Sequence, residues 1–127
     1  MASHALSLAG RTPDLESWRT FFRQQVVSNA EFWLEQITQH QASPALLQRE
    51  RDNILKALTR ALQVPAAGQS AVSLLRAFHP YMERQGALAQ WESLAVASIE
   101  ICRRQGNKAD EASLLDHLGE LKRDQGE

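Results

Sequence analysis

A second cysteine is missing. Cys102 stands alone among 127 residues, so the chain can close no internal disulfide, and a reducing compartment, the cytoplasm, is the expected setting. A surplus of either charge is missing too. Fourteen Lys and Arg face fifteen Asp and Glu, for a net charge of -1, which argues against sequence-independent nucleic-acid binding, a process driven by cations displacing counterions. No polybasic cluster is present to hold an anionic membrane. No apolar run approaches the roughly 18 residues of a membrane span. The opening "MASHALSLAGRTPD" lacks a basic leader followed by a long apolar stretch, so no secretion signal is expected. Alternating apolar and polar residues, the mark of a strand, occur nowhere.

Helical periodicity is what remains. Hydrophobic residues make up 43% of the chain, and six Gly and four Pro punctuate it at a few places. Residues 1–12 are small and polar and are expected to be loose, with a single helical domain over 13–127. Thr12, Pro13, Asp14 and Glu16 form a helix start, and Leu15, Trp18, Phe22 and Val26 continue one apolar face. Val27, Ala30, Trp33, Leu34 and Ile37 carry it on. "SNAE" at 28–31 suggests a second cap, so two helices are expected over 13–40, with one long helix as the alternative. Ser43 and Pro44 open a helix that runs to about Leu62. "VPAAGQS" at 64–70 is a turn, with Ser70 as the cap of the next helix, about 71–85. Further helices run over about 87–105 and from Asn107, as cap, to Gly126. The fold class is all-α, with five or six helices.

The tetrapeptides "ERQG" (83–86), "RRQG" (103–106) and "RDQG" (123–126) return every twenty residues. Glycine just beyond a helix end adopts the left-handed conformation that satisfies the last carbonyls. Three such stops mean three helices of similar length with very short turns, hence antiparallel neighbours and a two-helix unit of about 40 residues, the period of stacked helical repeats.

In "LLDHLGELKRDQG", Leu118, Gly119 and Gly126 stand at the spacing that resembles a tetratricopeptide repeat. That likeness implies antiparallel helix pairs stacked in a short array, with Gly119 allowing close approach of a neighbouring helix. Phe78 and Gly86 fit one unit earlier, although His79 replaces the close-approach glycine, and Trp91 replaces a small residue in the following helix. "LLQRERDNILKAL" (46–58) resembles, through Glu50, Asn53, Ile54, Ala57 and Leu58, the stretch where such arrays begin in STAND-class signalling ATPases and related bacterial regulators. That resemblance implies a sensor or regulatory segment. No phosphate-binding Gly-x-x-x-x-Gly-Lys-Ser/Thr loop accompanies it.

Glu50 falls on the inward stripe of Leu47, Ile54, Ala57, Leu58 and Ala61, with Asn53 at its edge. A carboxylate there needs donors, so Glu50 and Asn53 are expected to bind a neighbouring helix and set its register. His4, His40, His79 and His117 are scattered, and neither a metal set nor a catalytic partner for Cys102 is evident; Cys102 aligns with Leu88, Trp91, Ala95 and Ile99 as a core residue. No cofactor and no enzymatic activity are expected. Pro80 lies inside a helix, where it kinks the chain around the core or, alternatively, opens a groove lined by Phe78, Tyr81 and Met82. Arg103, Arg104, Lys122 and Arg123 sit near helix ends and compensate the dipole. The expected core comprises Trp18, Phe22, Trp33, Ile54, Leu58, Leu75, Phe78, Trp91, Leu94, Ile99 and Leu118.

The chain stops one residue after Gly126, while Leu114, Leu118 and Leu121 give the last helix an apolar face. An array needs its terminal face covered. The expectation is therefore that Leu114, Leu118 and Leu121 meet further repeats of a longer chain or a second copy in a homodimer. With Tyr81 and Met82 they form the candidate interaction surface of a non-enzymatic protein-binding module; a small self-associating regulatory domain is the alternative.

Overall fold

A computed structural model describes residues 14–124 and 126. Among them are five helices: α1 (Leu15–Thr38), α2 (Pro44–Gln63), α3 (Gly68–Arg84), α4 (Leu88–Gln105) and α5 (Lys108–Asp124), with a single 3-10 turn at Pro65–Ala67. The fold is all-α. Thr12, Pro13 and the loose segment expected over 1–12 lie outside the described residues.

Local chemistry explains most boundaries. The Asp14 carboxylate accepts the Ser17 N–H at 2.7 Å and opens α1. Ser43 accepts the Leu46 N–H at 3.2 Å, and Pro44, which has no N–H to leave unpaired, follows it. Gly86 and Gly106, at φ 72° and 70°, end α3 and α4. At each end the residue after the glycine reaches back a full turn and more, Ala87 N–H to Met82 O at 3.0 Å and Asn107 N–H to Cys102 O at 2.9 Å. These are Schellman closures, which only a residue tolerating positive φ completes without strain. Gly126 repeats the conformation at φ 80°.

Two expected boundaries are corrected. Residues 15–38 form one helix, because "SNAE" lies in mid-helix, where its backbone N–H groups already have partners. Ser70 does not cap α3, which starts at Gly68 directly off the 3-10 turn without a side-chain cap.

The core centres on α3. Ala71, Val72, Leu74, Leu75, Phe78, Tyr81 and Met82 are all buried there, and the helix packs against α1, α2 and α4. Ile54 and Leu58 from α2, Trp91 and Ile99 from α4 and Leu114 from α5 complete one continuous cluster. Trp33, Leu94 and Leu118 reach it half-buried. Tyr81 and Met82 are therefore not an interaction surface. The rings of Phe78 and Tyr81 stack inside the core with centroids 5.1 Å apart. Pro80 is exposed on the opposite face, and Phe78, Tyr81 and Met82 are buried rather than lining a groove.

Leu114 and Leu121 are also buried within the chain, and Leu118 is partly covered. Leu114 and Leu121 of α5 are thus already covered, chiefly by α4, whereas Leu115 stays 42% exposed. Nothing packs on Gly119: a Cβ there would meet only the Arg123 side chain of the same helix, at 3.8 Å. The close approach occurs instead at Gly68, where a Cβ would come within 2.8 Å of Gln105 Nε2 and 3.0 Å of Ile101 Cγ2 on α4. Among the described residues no helix is long and apolar enough to cross a membrane.

Candidate functional site

Among the described residues, five of the seven exposed large hydrophobic side chains are on α1. Every residue from Asp14 to Gln25 is exposed, and Val26 is the first buried one. Trp18 and Phe22, expected in the core, are 56% and 59% exposed, because α2 and α3 cover only the later turns of α1. Leu15, Phe21 and Phe32 are exposed as well. Trp18 and Phe21 meet edge to face, with centroids 6.3 Å apart. Leu15, Trp18, Phe22, Gln25, Asn29 and Phe32 follow alternating steps of three and four residues, which makes a straight seam along a helix. Beside the seam, Phe22, Gln25, Asn29, Ala57 and Arg60 line an open groove of about 370 Å³ between α1 and α2. Arg19 and Arg23 lie 3.8 and 3.6 Å from Glu16, exposed pairs worth little to stability.

A second cluster sits between α3, α4 and α5. His79 and His117, 38 positions apart in sequence, stack with ring centroids 4.5 Å apart, and the Trp91 indole lies 4.7 Å from His79. Glu83, Glu120 and Asp124 edge the small cavity of about 90 Å³ at this point. Trp91 Nε1 and His117 Nδ1 are buried without a hydrogen-bond partner. Burial, and next the neighbouring His117, lower the pKa of His79, against an opposing pull from Glu83 and Glu120. Among the described residues no three His, Cys, Asp or Glu side chains converge as a metal-ligand set.

Register between helices is set by Asp110, not by Glu50. The Glu50 carboxylate accepts from Asn53 Nδ2 at 2.8 Å and lies 3.7 Å from Arg49, all on α2, and Asn53 is exposed. Glu50 and Asn53 thus link to each other rather than to another helix. Asp110 instead accepts from Arg76, from Gln69 Nε2 at 3.2 Å and from Asn107 Nδ2 at 2.7 Å, tying the start of α5 to α3. Its own N–H donates to Asn107 Oδ1 at 3.2 Å, so Asn107 caps α5. Burial alone would raise the Asp110 pKa, but the hydrogen bonds from Gln69 and Asn107 and the Arg76 guanidinium outweigh it and hold the carboxyl below its ordinary value. Arg103 to Glu111 at 2.8 Å and Lys122 to Glu92 at 2.7 Å lock α4 to α5. Arg103 and Lys122 thus serve helix packing.

Cys102 is buried, and burial first, then Asp110 and Glu111, raise its thiol pKa, away from a reactive thiolate. Of the residues the sequence nominates for an interaction surface, Leu114, Leu121, Tyr81 and Met82 belong to the core and Leu118 to its edge. The seam on α1 was missed because its apolar period is indistinguishable from that of a core face; a hint lay in the excess of five large apolar residues over 15–22 and 32, more than one stripe can bury. Comparison with protein-family models, with curated proteins and with solved structures yields no match.

Proposed function

We propose that this chain is a non-enzymatic protein-interaction module that receives a partner helix on α1. One observation carries the reading: Leu15, Trp18, Phe21, Phe22 and Phe32 are all half or more exposed on a single helix, beside an open groove. Large apolar side chains concentrated on one helix outside the core mark a docking site. The raised thiol pKa of Cys102, the one free nucleophilic sulfur, fits a role without covalent chemistry.

The finer reading is a short stack of antiparallel helix pairs in the tetratricopeptide manner, serving as a sensor or regulatory segment of a signalling protein. Its support is the regular glycine closures and short connections, together with the packing of α3 on both α1 and α2. The sensor role rests on the likeness of residues 46–58 to the start of such arrays. Gly119 does not support it, since no neighbouring helix lies against it.

The test is photo-cross-linking. A benzoylphenylalanine in place of Phe21, in the full chain in its source cells, is expected to capture a polypeptide, whether another protein or a second copy. Trp18→Glu should abolish that capture. Equal capture from position 96, an exposed site on α4, or no capture from position 21, would overturn the reading.

A further inference from the structure

The α1 seam has the chemistry of a self-pairing helix. Its six positions, Leu15, Trp18, Phe22, Gln25, Asn29 and Phe32, are all exposed and span more than two heptads of a helix 24 residues long. The ends are apolar and the middle is not. Gln25 and Asn29 would be stranded against an apolar partner, because a buried amide needs a donor and an acceptor opposite it. An amide meets both in its own copy. From these observations we infer that α1 pairs with α1 of a second copy, parallel and in register, so that Asn29 faces Asn29 and Trp18 faces Trp18. This deepens the protein-docking reading of the same face and rests on it.

Three further features favour that occupant. The first is area. Side chains of this size carry roughly 150–250 Å² each. Five of them, half or more exposed, leave on the order of 500 Å² per copy and about 1,000 Å² for a pair, the lower bound of a specific interface. The second is charge. In a parallel pair the residue before one seam position meets the residue five later on the partner helix, which sets Asp14 of each copy against Arg19 of the other. The third is clearance. The core-facing residues Val26, Ala30, Trp33 and Ile37 lie about a quarter turn round the helix from the seam, so a two-fold axis along the helices sends the two bundles to opposite sides. A membrane surface fits less well: Arg19 and Arg23 lie against Glu16, and Glu31 and Glu35 add further negative charge to the helix, so it lacks the cationic flank of an interfacial helix.

A single asparagine at such a seam specifies register and strand number at some cost in affinity. Sedimentation velocity of the full chain over a wide concentration range should show a monomer–dimer equilibrium. Trp18→Glu with Phe22→Glu should weaken it by on the order of a hundredfold or more, with the circular dichroism spectrum and melting of the dilute native chain retained, since neither side chain belongs to the core. Asn29→Leu should tighten association and broaden the oligomer distribution. Under mild oxidation Asn29→Cys should give a covalent dimer, because Cys102 is buried and only the new thiol is accessible. A native chain monomeric at every concentration overturns the inference, as does a dimer indifferent to the Glu substitutions or an Asn29→Cys chain that never cross-links. Flotation with vesicles rich in phosphatidylglycerol, by a chain that does not self-associate, would assign the seam to lipid instead. Monomeric behaviour combined with capture of a different polypeptide at position 21 would end the self-pairing inference and leave the docking function intact; monomeric behaviour with no capture would end both.

Discussion

The imidazoles of His79 and His117 lie nearly parallel, 11° between planes, one carried by α3 and the other by α5. The pKa of His79 is lowered by burial first and by His117 second; Glu83 on its own helix and Glu120 on α5 oppose this, and Asp124 and Trp91 complete the surround. The folded state thus holds fewer protons than the unfolded chain just below the ordinary value of 6.5. Stability from this contact is full above that value and is lost as pH falls through the lowered folded pKa. Urea midpoints should decline between about pH 7 and pH 5, and His79→Phe should flatten the decline. Equal slopes in the two proteins would contradict the argument.

Trp91 and Trp18 occupy opposite situations. The Trp91 side chain is 2% exposed, in contact with His79. Trp91→Ala should cost roughly 3–5 kcal/mol by urea denaturation. Trp18→Ala, measured on dilute chain, should change stability by no more than about 0.5 kcal/mol. Similar losses at the two sites would mean that the first turns of α1 are covered within one chain.

Asp110 and Glu50 provide a second contrast. Asp110→Ala strips an acceptor from Arg76, Gln69 and Asn107 at once and should cost about 1–3 kcal/mol. Glu50→Ala removes contacts within one helix only and should cost less than about 0.5 kcal/mol. Reversal of that order in a denaturant titration would restore Glu50 as the residue that sets helix register.

Gly119→Ala should stabilise the chain by about 0.5–1 kcal/mol, because alanine loses less backbone freedom in a helix and meets no neighbour there. Gly68→Val should lower the melting temperature, since its added carbons collide with Ile101 and Gln105. A destabilising Gly119→Ala would show that another helix lies against α5.

The all-α class, most boundaries and the central core were legible in the sequence, because caps such as Ser43 and closures such as Gly106 act within a few residues. Ile54, Leu58, Leu75, Phe78 and Trp91 follow period and size and are buried. What could not be read is tertiary. Periodicity places Phe22 and Phe78 on equally apolar stripes, and only the packing decides which stripe finds a neighbour. Glu50 and Asp110 are both acidic residues at helix positions, yet only Asp110 has Arg76 and Gln69 opposite it. His79 and His117 meet through α3 and α5, a proximity that no local pattern encodes.

Hydrogen exchange along α1 tests the central claim most directly. A few exposed turns of helix without tertiary cover are marginal in water. In dilute chain the amides of residues 18–25 should exchange fast, while those of Leu74 and Leu75 stay protected. As concentration rises, protection should grow along Leu15–Phe32 alone, and Trp18→Glu should cancel that growth. Exchange of α1 that is slow in dilute chain, or that ignores both concentration and the Trp18 substitution, would contradict the assignment of this seam as the interface.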